Sequence, residues 1–343
     1  MQAIAKAQRK RANWRIWISR LGRAGIILVA LMTLGTLIFE AGLRAYYRLP
    51  AVERYFAPAE NSAGYGLRAS QQYEYLHNGR RVTVTTDADG RRVVPNAPAQ
   101  AQRTLYVIGD SQVFGWGLSD DESIPARLQQ QLGEGWQVIN LGVPGYGPFQ
   151  YAEQLAKVPN NGLALVILTE TNDFQDSFFY RPPLISRCGY LVTRSWLGER
   201  MPCFLLSSYA LAKFAELRVR MSGNLPVPLG YSPNGQSAAK VLQYRIENLF
   251  RGAAGSKRGH VIFASIPWDA AVDARRLPNY EPALSEARRF VELPDDCKIE
   301  REFQQHPNPG ELFQKNDSHL SPAGAELMAE KLAPAILSAS QAR

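Results

Sequence analysis

The sequence predicts an α/β protein: a three-layer α/β/α sandwich with a parallel sheet, preceded by one N-terminal transmembrane helix and a small β-rich extension. Three observations point there. From Thr104 onward, short apolar runs alternate with stretches of helical spacing, the pattern of parallel strands joined by helices. Residues 24–39 carry no charge and directly follow a basic N-terminus. Between the two lies a stretch rich in β-branched residues and turn formers.

The N-terminus explains the charge balance. The 343-residue chain has a formal net charge of +8, but Lys6, Arg9, Lys10, Arg11, Arg15, Arg20 and Arg23 supply seven positive charges before residue 24, with no acid among them. The rest is close to neutral, so basicity belongs to the tail and argues against a nucleic-acid partner. The run AGIILVALMTLGTLIF, Ala24–Phe39, is slightly short for a bilayer span of about 20 residues. Glu40, the AGL after Glu40 and the Tyr46–Tyr47 pair extend it into the headgroup region. A cleaved signal peptide is the rival reading, but the basic region is long for one and FEAG is only a passable cleavage site. The expectation is a cytoplasmic tail over 1–23 and a signal anchor over 24–43. By the positive-inside rule, everything past about residue 44 is then exported. That describes a single-pass protein of the bacterial inner membrane, with its larger part periplasmic or extracellular.

Export bears on the cysteines. Cys188, Cys203 and Cys297 show no CxxC spacing, so a zinc site is not expected. In an oxidising compartment Cys188–Cys203 is the local disulfide choice, and three unpaired thiols are the alternative.

Residues 44–60 read as a tether, with prolines and no clear period. Residues 61–100 read as the β-rich extension. There YEYLHNGRRVTVTTDADGRRVVP places β-branched residues around Asp87-Ala88-Asp89-Gly90, which predicts a hairpin turning at that glycine. The main domain, 101–343, follows. TLYVIGD is a strand buried on both faces, SIPARLQQQL a helix with Pro125 near its start, and WQVINLG a second strand. PFQYAEQLAKV is a helix, LALVILTETND and HVIFASIP are further strands, and SPAGAELMAEKLAPAIL closes the chain as a helix. An insertion over 174–259, with helical patterns in LLSSYALAKFAELRVRM and SAAKVLQYRIENLF, is far longer than an ordinary crossover and reads as either a lid or a decoration.

In open α/β sheets, sites form at the carboxyl ends of the strands. There stand Gly109-Asp110-Ser111, then NLGVPGYG (Asn140–Gly147), then TETND (Thr169–Asp173), with NDSHLSPAG (Asn316–Gly324) just before the last helix. In this order and spacing the four segments resemble the blocks of the SGNH (GDSL) hydrolase superfamily, over roughly residues 101–343. The resemblance implies Ser111 as nucleophile, Gly145 and Asn172 as oxyanion-hole residues beside the Ser111 amide, and Asp317 and His319 as the acid and base. It calls for no cofactor and no metal. Two positions depart from the family pattern: Glu170 stands where the third block usually has glycine, and the last block is Asp-x-His rather than Asp-x-x-His, with Asn316 in the usual acid position.

The residue chemistry is consistent with those roles. A serine hydroxyl needs a neighbouring base to become a good nucleophile. Of the four histidines, His77 falls in the extension, His260 starts a strand at the far end of the sheet and His306 sits in QQHPNPG without a nearby acid, which leaves His319. Asp317 would hold its tautomer. Taken singly, each block has a plainer reading: Asp110 and Ser111 as helix caps, GVPGYG as an ordinary loop, and Asp317-Ser318 as the cap of the final helix. No GxSxG, HExxH or phosphate loop competes. Phe114, Trp116, Tyr146 and Phe149 would suit sugar stacking or plain packing.

The expected function is that of a membrane-anchored serine esterase or O-acyltransferase working through an acyl-enzyme. Anchored, exported members that the chain resembles act on acetyl groups of an extracytoplasmic polysaccharide or peptidoglycan. The expected partners are an acylated polysaccharide or other ester substrate, the membrane, and polysaccharide-synthesis or export proteins. A lipid esterase or thioesterase, with the insertion as lid, and a catalytically silent scaffold of a polysaccharide-export assembly are the alternatives.

Overall fold

A computed structural model describes residues 2–47, 54–169, 173, 184–194, 196–211, 261–267, 299–314 and 318–341. The expectations for Glu170, Asn172, His260, Cys297, Asn316, Asp317 and the helix of residues 237–250 fall outside them. The described residues belong to two compact units.

The first unit is built on α1, Gln2–Tyr47, which runs unbroken through the basic tail and the apolar run. Its Gly22–Tyr46 portion is long and apolar enough to cross a membrane by length and composition. Thr33 and Thr36 donate their hydroxyls to the carbonyls of Val29 and Met32, which hides both polar groups along the helix. Near its end Glu40 accepts bonds from the Ser208 hydroxyl and the Tyr209 and Ala210 amides, so the Phe204–Leu211 segment is tied to α1.

The second unit holds a sheet of four parallel strands. Its members are β5 (Arg103–Ile108), β6 (Trp136–Asn140), β7 (Leu163–Thr169) and β10 (Val261–Ile266), in the order β10-β7-β5-β6. Every residue of β7 is buried, which is why LALVILT reads as an unbroken apolar run. The two-residue period of the strand divides those side chains between two cores. Leu163, Leu165 and Ile167 face α3 (Ile124–Leu132) and α6 (Pro322–Gln341), where they pack with Leu128, Met328, Leu332 and Ile336. Ala164, Val166 and Leu168 face the side of α4 (Pro148–Lys157), with Tyr151 and Leu155. Helices therefore cover both faces, as the strand–helix alternation implies. Each fully buried leucine or isoleucine contributes about 1.5–3 kcal/mol relative to exposure.

The N-terminal β-layer joins the core on the α4 side through Tyr55, Phe56, Tyr65, Tyr75, Val82 and Val84. The extension holds a hairpin that the sequence reading did not pick out, which pairs β3 (Gln72–His77) with β4 (Arg80–Thr85) and turns at Asn78–Gly79. Both turn residues have positive φ, +49° and +81°, as the two-residue hairpin turn requires and Asn-Gly readily supplies. The turn expected at Asp87–Gly90 is present as well, closed by Gly90 N–H on Asp87 C=O and flanked by an antiparallel bridge between Thr86 and Arg92. One expectation is corrected: the tether is shorter than 44–60. Residues 56–58 form β1, paired with β2 (Tyr65–Leu67), and Tyr55 and Phe56 are fully buried by packing on aromatic neighbours.

Of the insertion, β8 (Leu184–Arg187) and β9 (Tyr190–Thr193) form a hairpin, and α5 (Trp196–Arg200) follows. Cys188 and Cys203 form a disulfide, with Cα atoms 5.9 Å apart.

Candidate active site

β5 begins near the middle of the sheet, with β6 on one side and β7 on the other, so its carboxyl end lies at a topological switch point. The chain leaves it through Gly109, where a Cβ would stand 2.3 Å from Val113 Cγ2, so only glycine permits this approach. Asp110 is buried and caps the short helix α2 (Ser111–Phe114), accepting the Gln112 N–H at 2.9 Å. The same oxygen accepts the Thr169 hydroxyl at 3.0 Å, tying the ends of β5 and β7 together. Capping is thus what Asp110 does; Ser111, in the first turn beside it, is directed elsewhere.

Ser111 Oγ lies 2.7 Å from His319 Nε2, across 208 positions of sequence. Both residues are half-buried. That distance is a hydrogen bond, and it puts an imidazole nitrogen beside the hydroxyl. The histidine is held from several sides. Gln112, next to Ser111, donates Nε2 to Ser318 C=O at 3.0 Å and accepts the Leu320 N–H at 2.9 Å, so one amide grips both neighbours of His319. Gln314 N–H bonds to His319 C=O, and its side chain bonds to the carbonyls of Leu320 and Trp116. The Trp116 ring stacks on the imidazole, centroids 5.8 Å apart and 23° from parallel. Neither glutamine carries a local sequence signal, because each acts on residues that the fold alone brings near.

The loop after β6 is seated against α2. A Cβ on Gly142 would meet Phe114 N at 2.3 Å, and the Asn140 side chain donates to Val113 C=O while accepting the Gly142 N–H. Val143 to Tyr146 then form a turn closed by Tyr146 N–H on Val143 C=O at 3.1 Å, with Pro144 in second place and Gly145 third at φ +79°. Those are the features of a type II turn. Tyr146 OH donates to Tyr65 C=O at 2.7 Å, and burial pushes that phenol up to about 12. At the third block, Asp173 accepts the Thr169 N–H at 2.6 Å and the Tyr151 hydroxyl at 2.8 Å, which ties Asp173 to the end of β7 and to α4.

The aromatics divide. Phe114 is buried among Tyr55 and Arg92, and Tyr146 is buried in its hydrogen bonds, so both pack rather than stack on a sugar. Trp116 serves His319, and Phe149 is the exposed one of the four. His77 ends β3 close to Gly117, where a Cβ would meet its ring at 2.5 Å, so the extension reaches the rim of the site. Among the described residues no group of three or more His, Cys, Asp or Glu could hold a metal ion.

The structure thus brings together Ser111, His319 and the Gly145 loop at one end of the sheet. Neither a family model nor a curated protein matches the chain. Among solved structures it is similar to TesA, with 13% identity over 69% of this chain and 99% of that one and a TM-score of 0.43. It is similar to the lipase/acylhydrolase from Enterococcus faecalis, with 14% identity over 69% and 96% of the two chains and a TM-score of 0.41. It is also similar to AlinE4, an SGNH-hydrolase family esterase, with 15% identity over 71% and 98% and a TM-score of 0.36.

Proposed function

We propose that the protein is a membrane-anchored serine esterase or O-acyltransferase. It acts through an acyl-enzyme on acetyl groups of an extracytoplasmic polysaccharide or peptidoglycan. The observation that carries the reaction type is the 2.7 Å hydrogen bond between Ser111 Oγ and His319 Nε2 at the switch point of the sheet. Ser111 Oγ bonds to the ester carbonyl carbon, its proton passes to Nε2, and the carbonyl electron pair moves onto oxygen. The oxyanion is received by the amides of Ser111 and Gly145 and by the Asn172 side chain. Collapse expels the alcohol, which takes the proton from Nε2. Water, or a sugar hydroxyl, then attacks the acyl-enzyme by the same steps in reverse. Asp317 holds the imidazolium, alongside the positioning that Trp116, Gln112 and Gln314 provide.

Location rests on α1, whose apolar segment follows seven basic residues. The basic tail stays cytoplasmic and the catalytic unit faces the periplasm or exterior. The acetyl preference rests on the likeness of such an anchored, exported chain to polysaccharide acetyl-esterases and acetyltransferases. Hydrolysis of nitrophenyl acetate and octanoate by the detergent-solubilised full-length protein tests it. Acetate is favoured by more than about tenfold in kcat/KM, the scale on which a pocket rejects extra methylenes. Preference for octanoate would assign the protein to lipid esterases instead.

A further inference from the structure

We infer that Tyr65, contributed by the N-terminal β-layer, is a positioning residue for acyl transfer: its hydroxyl sets the orientation of the Pro144–Gly145 peptide and thereby aims the Gly145 N–H. The inference rests on Gly145 serving as an oxyanion donor, as proposed above.

Tyr65 OH donates to Pro144 C=O at 3.1 Å. A trans peptide is planar, with C=O and N–H on opposite sides, so holding the carbonyl of Pro144 fixes the N–H of Gly145 in the reverse direction. This peptide is the central one of the Val143–Tyr146 turn, and type I and type II turns differ by flipping that unit. Glycine populates both signs of φ about equally, so Gly145 does not hold its +79° conformation by itself. Pro144 favours the turn but fits both types. The Tyr65 hydroxyl tells the two apart through its proton, which finds the Pro144 carbonyl only in the observed form; flipped, the phenol would lose that acceptor and could only accept from an N–H.

Tyr65 is built to do this. It is 2% exposed, and its ring meets Phe56 and Tyr146 edge-on, with centroids 5.9 and 5.5 Å away. Its own carbonyl accepts the Tyr146 hydroxyl at 2.7 Å and the Asn61 amide at 2.9 Å. Loop and extension therefore brace each other, with one phenol donating in each direction. The space on the Cα side of Gly145 is also closed, since a Cβ there would stand 2.7 Å from the Tyr65 oxygen.

The test compares full-length wild type, Tyr65→Phe and Asn172→Ala. For each, kcat and KM on an acetyl ester and the affinity for a trifluoromethyl ketone, which forms a tetrahedral oxyanion adduct, are measured. Values are normalised to sites titrated with a fluorophosphonate, so misfolded protein does not count. Tyr65→Phe lowers kcat per titrated site and affinity for the ketone in parallel, each about tenfold, with KM within about twofold. A purely structural role would reduce only the titrated fraction. If Asn172→Ala weakens both quantities and Tyr65→Phe neither, the positioning role is overturned while the oxyanion hole stands. If neither variant moves them, the oxyanion hole is itself overturned and the role of Tyr65 goes with it.

Discussion

Ser111→Ala and His319→Ala each lower turnover of an acetyl ester by roughly 10⁴–10⁶-fold, and the double variant is no slower than either. The non-additivity is the informative part. The two side chains share one hydrogen bond of 2.7 Å, and in the proposed reaction the proton that leaves Oγ passes to Nε2. Removing the base leaves an inert alcohol; removing the alcohol leaves a base with nothing to activate. If the two residues acted separately, their losses would multiply. Both are half-buried and outside the two apolar cores, so melting temperatures stay close to wild type. Kinetics of the four proteins on nitrophenyl acetate, with melting curves alongside, provide the check.

Arg92→Leu has the largest expected effect on stability, a loss of about 3–5 kcal/mol. The Arg92 side chain is fully buried and carries four hydrogen bonds of 3.1 Å or less: to Phe114, Gly115 and Leu118 carbonyls and to the Asp120 carboxylate. Phe114 and Gly115 end α2, where helix carbonyls have no intrahelical partner, so the guanidinium caps the helix that presents Ser111. Leucine matches part of the volume but strands those carbonyls and the Asp120 charge. The melting temperature falls by on the order of 10 °C. Activity per folded molecule also falls, because α2 loses its hold at the end opposite Asp110. Lysine at this position keeps the charge and recovers only part of the loss, since it cannot form the planar fork. A thermal melt of the three proteins reads this directly.

The two predictions mark what was legible in the sequence. Strands buried on both faces, such as β7, are continuous apolar runs, and their polar ends announce themselves because the fold collects them at one edge. The proximity of Ser111 and His319 could therefore be expected from the sequence. The supports could not. Gln112 acts on Ser318, 206 positions away, and Arg92 on carbonyls more than 20 positions ahead, so nothing local marks either. The extension was harder still. Its Asn78–Gly79 turn sits between His77 and Arg80-Arg81, whose polar side chains mask the strand alternation of β3 and β4, whereas Asp87–Gly90 has the denser cluster of turn residues. Tyr55 and Phe56 stand alone among prolines and charges, and only the aromatic core they enter shows why they are there.

The central claim is that Ser111 is an activated nucleophile, and its covalent capture is the most direct measurement. The full-length protein in detergent is treated with a fluorophosphonate, digested, and mapped by mass spectrometry. The expected result is a phosphonyl adduct on Ser111 that is absent from His319→Ala protein under the same conditions. An unlabelled Ser111 in folded protein, or equal labelling with and without His319, would contradict the account and favour a catalytically silent scaffold.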